Sequence, residues 1–242
     1  SKWWHFTIGQ QKVPFSTDNL RSPHQLYFAN RSFIGKQLTG LRDVGATLEF
    51  DNFAKFPVSF QAGVYNGTGL YNQKPWRKTD ELSYVLRSVI RPVKSLEISA
   101  DVNSINPSGL RMNLYSGGIM YDIDNLHLES EYFYKTYENN LYTPTQGFFG
   151  FAAYNIATPK SKNITKITPV VRYDMMTENK KFDSAGTLIA PDIARSRITG
   201  GITFSLAKPF MNDIRLNYEQ YFYGPGVPNS DNKFVAEFVV RF

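Results

Sequence analysis

The chain has 242 residues, no cysteine, a formal net charge of +6 and a mean hydropathy of −0.35. No stretch approaches the 18 consecutive apolar residues of a transmembrane helix, and the lack of cysteine excludes a disulfide scaffold. There is no charged-then-apolar leader, so we expect that any signal peptide has been removed. Aromatic residues make up 15% of the chain, which suits a β-barrel of either the water-soluble or the membrane kind.

Alternation of apolar and polar residues predicts about twelve β-strands along the chain. In the segment 43–51, for example, Val44, Ala46, Leu48 and Phe50 fall on one side, because successive side chains of a strand point to opposite faces. The predicted strands are the opening WWHFTIG, then 43–51, 57–65, 82–91, 96–103, 110–115, 126–132, 148–156, 167–175, 198–206 and 214–222, and the terminal NKFVAEFVVRF. No helical periodicity competes with this pattern.

The predicted connections alternate between short and long. Short turns are predicted at 52–56, 93–95, 123–125, 159–163 and 208–212, and longer links at 16–41, 70–80, 140–146, 179–194 and 224–232, with a shorter one near 104–109. This alternation is typical of an up-and-down membrane barrel, which keeps short turns at one end and long loops at the other.

The sequence therefore predicts an all-β fold. Most predicted strands reach the 9–11 residues that cross a bilayer. We expect one antiparallel, up-and-down transmembrane β-barrel domain over residues 1–242, with long extracellular loops near 16–41, 70–80, 179–194 and 224–232.

The apolar stripe of the strands is predicted to face lipid, and its clearest members are Leu48, Phe60, Leu86, Ile98, Ile202 and Leu216. Aromatic side chains near strand ends are predicted to form the girdles at the two membrane interfaces, where amphipathic rings are favoured. These are Trp3, Trp4, Tyr132, Tyr134, Tyr218, Phe222 and Phe242.

Several phrases resemble a known family. FTIGQQKVPFS, LYFANRSF, GVYNGTG, PVVRYD and RITGGITFSLAKPFMNDIRLNYEQY are similar, in this order, to segments of the phosphate-selective porin O and P family. The resemblance implies an outer-membrane porin. Members of that family resemble sixteen-stranded barrels, in which several strands precede the one that opens this chain. Because bare strand edges are prohibitive in lipid, we expect the chain either to close with about twelve strands or to pair with strands not included in it.

The resemblance also implies a position for the constriction. Loop 16–41 corresponds to the loop that folds inward in porins of this type, and it carries Arg21, Arg31 and Lys36, ends at Arg42, and has Asp18 in opposition. A basic constriction would favour anions, and more strongly where the dielectric is low. The alternative is a surface loop whose arginines bind lipopolysaccharide phosphates or nothing.

The strand alternation also points arginines into the lumen. They are Arg87, Arg91, Arg111, Arg172, Arg197 and Arg215. These arginines could continue an anion path along the wall. Because a similar number of carboxylates point inward, the alternative is that most of these residues form cross-strand salt bridges.

From these features the sequence predicts a diffusion channel for small anions such as phosphate in the bacterial cell outer membrane. The alternative is a non-conducting structural or accessory barrel docked to other outer-membrane proteins. The expected partners are outer-membrane lipid, lipopolysaccharide and small anions, with a homotrimer or other outer-membrane proteins also compatible, and no nucleic acid. Three scattered histidines and no cysteine predict no metal, no cofactor and no enzyme activity.

Overall fold

The alternating segments of the sequence form long antiparallel strands. A computed structural model of the protein describes residues 3–38, 42–52, 57–67, 82–106, 110–182, 188–207, 212–224 and 231–240. Strands β1 to β8 are Trp4–Gln11, Asp43–Asp51, Val58–Tyr65, Ser83–Val93, Leu96–Ile105, Met112–Ile123, Leu126–Tyr137 and Thr145–Tyr154. Strands β9 to β15 are Ile156–Ala157, Ile164–Met176, Asn179–Phe182, Leu188–Asp192, Arg195–Leu206, Asp213–Tyr223 and Lys233–Val239.

These strands build one large sheet in chain order. Its order is β1-β2-β3-β4-β5-β6-β7-β8-β10-β13-β14-β15, and the two-residue β9 pairs with β10 beside this path. All the pairings are antiparallel, as in β2 with β3 and β13 with β14. The predicted all-β, antiparallel, up-and-down fold is therefore confirmed. The short helices are α1, Thr17–Leu20, and α2, Phe33–Leu38, with 3₁₀ turns at Pro23–Gln25 and Glu138–Asn140.

The connections separate by length. The two-residue turns 94–95 and 124–125 lie at one end of the sheet, called here the short-turn end. The connections that follow β1, β3 and β7 begin at the other end, the long-loop end. The predicted loop 179–194 needs correction, because it contains a separate two-stranded sheet of β11 and β12. The predicted loop 70–80, and residues 225–230 of the loop 224–232, lie outside the described residues.

The outer face of the sheet is apolar. Leu48, Phe60, Leu86 and Ile98 are all exposed there, while Ile202 and Leu216 are half-buried on the same face. The inner face is polar, and its buried residues include Arg87, Asp101, Glu131, Arg172 and Arg197. This is the reverse of a water-soluble protein, in which charged side chains are seldom fully buried and large apolar patches are seldom exposed.

Strands β1 and β15 are the two edges of the main sheet. Within residues 3–11 and 231–240, no hydrogen-bonded pairing joins these strands. Each has a neighbouring strand on one side alone, so Phe6, Ile8 and Phe234 are 66%, 73% and 66% exposed. The described part of the chain thus does not show the twelve strands closing on themselves.

The predicted girdle residues fall into two groups. Trp3 and Trp4 lie at the short-turn end of β1, with the Trp4 ring 5.0 Å from that of Phe50. Tyr132 and Tyr218 face outward, but near the middle of β7 and β14, so their predicted strand-end placement is corrected.

The remaining girdle residues are less exposed. Tyr134 and Phe222 lie further toward the long-loop end and are half-buried, and Phe242 lies outside the described residues. Among the residues that the structure describes, no helix is both long enough and apolar enough to cross a membrane.

The reversed polarity of the two faces gives a first prediction. Leu48→Arg places a charge on the outer face and should lower the free energy of unfolding in lipid by about 2–4 kcal/mol. The matched control is Gln61→Arg, since Gln61 lies on the neighbouring strand, faces inward and is half-buried. Refolding yield and urea unfolding in lipid vesicles would measure both. Equal behaviour of the two variants would contradict the assignment of the lipid-facing side.

Candidate functional site

The inner face of the sheet is covered by one segment of the chain, residues 12–38, called here the inner segment. It leaves the end of β1 and contacts residues on β4, β5, β7, β10, β13 and β14. A flat sheet would separate β4 from β14 by about 34 Å, at about 4.8 Å between neighbouring strands. One short segment reaches both, so the sheet curls around it.

The first half of the inner segment donates hydrogen bonds to carboxylates of β5 and β7. The Ser16 backbone N–H donates to Asp101 Oδ2 at 2.9 Å, and the Ser16 hydroxyl donates to Glu131 Oε2 at 2.9 Å. Arg87 on β4 binds the same Asp101 at 2.7 Å and also donates to Thr17 Oγ1 at 2.9 Å. The start of α1 is therefore held by a buried cluster of opposite charges.

The backbone at Ser16 is unusual. Its φ is 69°, in the left-handed region that residues other than glycine seldom adopt. Its side chain caps α1 by accepting from the Asn19 N–H at 3.4 Å. The two carboxylate contacts hold Ser16 in this conformation, and a strained residue that persists in this way often marks a functional position.

Further along, the inner segment contacts β7 through charge and ring stacking. Arg21 forms an ion pair with the buried Glu129, and Glu129 also lies 3.3 Å from His127 Nε2. The ring of Tyr27 stacks on His127, with centroids 4.6 Å apart. Phe151 packs beside both rings, so this part of the inner segment is fixed on several sides.

Between residues 23 and 31, backbone carbonyls of the inner segment accept hydrogen bonds from arginines of β10, β13 and β14. Arg172 donates to the carbonyls of Asn30 and Arg31 at 3.0 and 3.2 Å, and Arg197 donates to that of Arg31 at 3.0 Å. Arg215 donates to the carbonyls of Pro23 and His24 at 3.1 and 3.2 Å. Donors of Ser16 and Arg21 thus meet carboxylates of β5 and β7, while carbonyls between residues 23 and 31 meet arginines of β10, β13 and β14.

The predicted wall arginines do not all line open space. Arg87, Arg172, Arg197 and Arg215 are 1–5% exposed. Each pairs with a carboxylate, namely Asp101, Asp174, Asp174 together with Glu219, and Glu237 respectively. We correct their predicted place on an open anion path, because buried and paired guanidinium groups cannot meet a passing ion. The salt-bridge alternative describes these four residues better.

The other predicted basic residues lie in varied surroundings. Arg91 is exposed and pairs with Glu97 at 2.7 Å, and Arg111 donates to the Leu82 carbonyl at 2.9 Å. Arg42 is exposed at the start of β2. The side chain of Lys36 lies outside the described residues.

Lys12 is a basic residue that the sequence prediction missed. Its ammonium group donates to the carbonyls of Leu20 and Arg21. Burial lowers the pKa of Lys12, and the nearby charges of Arg31 and Arg42 lower it further. The three cations therefore form a positive cluster where the inner segment leaves β1. The sequence feature that could have identified Lys12 is its position in GQQKVPF, shortly after a predicted strand.

Asp18 is the one carboxylate of the inner segment. It is 4% exposed, and its Oδ2 accepts from the Ser32 N–H at 3.1 Å, which joins α1 to the start of α2. Burial raises the pKa of Asp18, although the charges of Arg172 and Arg31 oppose the shift.

In the ranges that the structure describes, no three His, Cys, Asp or Glu side chains are grouped so that they could hold a metal ion. The chemistry of this site is instead that of fixed charges, hydrogen-bond donors and carbonyl acceptors in a polar interior.

Comparison with known proteins supports the fold. No protein-family model and no curated protein sequence matches the chain. Among solved structures, the chain is similar to "Outer-membrane expressed OmpT of Vibrio cholerae", with a TM-score of 0.61 and 12% sequence identity. The similarity covers 92% of this chain and 68% of that one. The chain therefore has the fold of an outer-membrane barrel protein.

The comparisons bear on two sequence-based inferences. The phosphate-selective porin O and P family is not confirmed, and that resemblance stays a prediction. The exclusion of enzyme activity is withdrawn. One fold can host unrelated activities, and the residues of its site decide which of them a protein has. The barrel fold shared with OmpT is therefore a weak argument against excluding enzyme activity.

The burial of Asp18 gives a prediction about pH. Because its folded-state pKa is raised, the folded protein holds this proton more tightly than the unfolded chain does. Stability should therefore fall as the pH rises from about 3.8, the ordinary value, toward the raised pKa. Asp18→Asn removes this titration, so its free energy of unfolding should fall less over the same interval.

Urea unfolding of the micelle-bound protein, followed by tryptophan fluorescence at a series of pH values, would measure this difference. Asp124→Asn is the control, because Asp124 is exposed in a two-residue turn and its φ of 50° suits asparagine. Parallel stability curves for wild type and Asp18→Asn would contradict the prediction.

Proposed function

We propose that this protein is a bacterial outer-membrane channel whose lumen is narrowed by the inner segment, and that small anions such as phosphate pass through it. The observation that carries the proposal is the position of residues 12–38, which lie inside the curled sheet and are bonded to both parts of its wall. A polar segment fixed inside a polar lumen can set the size and charge of what passes.

The charges left on the inner segment support a preference for anions. Arg21 is neutralised by Glu129. Arg31 donates to the carbonyls of Asp18 and Arg21, and Lys12 donates to that of Leu20 and to the same Arg21 carbonyl. In the part of the chain that the structure describes, neither Arg31 nor Lys12 has a carboxylate within ion-pair distance. A carbonyl satisfies a donor without cancelling its charge. The charge of Asp18 acts on both Lys12 and Arg31, but one carboxylate offsets only part of the charge of three cations, so a net positive field remains at this cluster.

The non-conducting accessory barrel remains the second candidate. The buried arginines on the wall and the unpaired edges of β1 and β15 favour it, since they point to a filled interior and to a surface that needs a partner. The two candidates differ in one measurable property, which is the conductance of the protein in a planar lipid bilayer.

The channel proposal predicts steady, ohmic current and a reversal potential in a KCl gradient that favours Cl⁻ over K⁺. Arg42→Glu should reduce the Cl⁻/K⁺ permeability ratio about two- to fourfold. This is the effect expected for a change of two charges about 10 Å from an ion in water. Arg42 is suited to the test because its side chain is exposed and belongs to the positive cluster.

Lys162→Glu is the matched control. Lys162 is exposed in the turn at 158–163 at the opposite end of the sheet, and it undergoes the same change of charge. Absence of current from correctly folded protein would favour the accessory barrel. A cation preference, or equal shifts in the two variants, would overturn the anion path while leaving the channel.

A further inference from the structure

A polar recess lies beneath the inner segment at the short-turn end. Two adjoining cavities of about 400 and 440 Å³ share Asn155, Lys166, Ser205 and Asp213 in their walls and so form one space. The 3₁₀ turn Pro23–Gln25 and the following residues, up to Tyr27, form its roof. A recess of this size accommodates a small solute with several waters.

The roof of the recess is fixed in place. Arg215 holds the carbonyls of Pro23 and His24, and Tyr27 stacks on His127. A site formed before its ligand arrives avoids much of the entropic cost of ordering, which favours binding.

On the floor of the recess, a lysine and an aspartate lie in one row of residues that crosses three neighbouring strands. Lys166 on β10 pairs in register with Ser205 on β13, and Ser205 pairs with Asp213 on β14. Two strand spacings separate the lysine and aspartate backbones by about 10 Å. Within the described part of the chain, the Lys166 ammonium group makes no hydrogen bond or ion pair and is exposed to the recess. A solute between the two residues can therefore meet a cation on one side and a carboxylate on the other.

Unpaired polar atoms surround this row. Thr203 Oγ1, Arg215 Nε and Asn212 Oδ1 have no hydrogen-bond partner, and their residues are 8%, 1% and 5% exposed. All three residues line the recess. These residues make the lining of the recess polar, although the three atoms themselves are too deeply buried to contact a solute directly.

We propose that the recess binds a small zwitterion of the α-amino-acid class. Its carboxylate lies toward Lys166, its ammonium group toward Asp213, and its polar atoms contact the Ser205 hydroxyl between them. A carboxylate accepts from several donors at once, so Asp213 can bind the ligand and keep its own contacts. The mixed charges of the floor favour a ligand with both signs over a simple anion.

The test measures equilibrium binding to the whole refolded chain in detergent micelles by calorimetry or saturation-transfer NMR. Glycine is the probe, acetate and methylammonium are its two half-ligands, and inorganic phosphate is the competing anion. Glycine should bind at least about tenfold more tightly than either half-ligand, because each half-ligand lacks one charge-assisted contact.

The variants assign the two ends of the ligand. Lys166→Gln and Asp213→Asn should each weaken glycine binding at least about tenfold, while Lys166→Arg should retain it. Lys162→Gln is the control, since it removes a lysine charge away from the recess. Near-ultraviolet circular dichroism would establish that each variant is folded.

Two results would overturn the proposal. Acetate or phosphate binding as tightly as glycine, with no effect of Asp213→Asn, would show an anion site instead. Glycine binding that is absent, or that is insensitive to both recess variants, would show that the recess does not bind a zwitterion. The proposal does not rest on conduction. A conducting barrel without glycine binding would overturn this proposal alone, and glycine binding by a silent barrel would overturn the channel proposal alone.

Discussion

The arrangement of this protein depends on the electrostatic complementarity between the inner segment and the wall around it. Ser16 and Arg21 donate to Asp101, Glu131 and Glu129. The carbonyls of residues 23–24 and 30–31 accept from Arg215, Arg172 and Arg197. Each of these hydrogen bonds satisfies a polar or charged group whose burial without a partner would cost free energy. Donors and acceptors along the segment therefore match acceptors and donors of the wall, including the Ala29 N–H with Asn217 and the Asn30 amide with Glu219, and these contacts fix its position within the lumen.

In this arrangement, the charges that stabilise the interior differ from the charges that can act on a solute. The buried wall arginines pair with carboxylates and hold the backbone of the inner segment, so their fields are largely cancelled. The cluster of Lys12, Arg31 and Arg42 lies toward the long-loop end and the lone ammonium group of Lys166 lies at the short-turn end, and both keep positive charge that is not fully cancelled. A count of inward-pointing arginines thus overestimates the field that an ion meets, because pairing decides which charges remain.

Each face of the sheet matches the polarity of its surroundings, which are lipid on one side and a polar interior on the other. Outside, Leu48, Phe60 and Leu86 expose apolar surface that is stable in lipid. Inside, the wall can bury Glu131 and Arg197 because partners for them come from both the wall and the inner segment. Replacing the inner segment with an apolar one would remove the Ser16 donor to Glu131 and the Arg31 carbonyl that accepts from Arg197, so the segment is part of the fold as well as a candidate constriction.

The sequence by itself determined the twelve strands along the main path of the sheet, their order and their faces, but not β9 or the hairpin of β11 and β12. A period of two is a local property, and the lengths of the turns decide which strands are neighbours. It therefore indicated correctly that Leu48 faces outward and Arg197 inward. Sequence could not show that Arg197 meets the Arg31 carbonyl, that Lys12 lies near Arg42, or that Lys166 and Asp213 share a row. In each case the residues are distant in the chain. Pairing of β1 with β2 brings Lys12 near Arg42, and pairing of β10, β13 and β14 aligns Lys166 with Asp213, whereas only the curling of the sheet around the inner segment brings Arg197 to the Arg31 carbonyl.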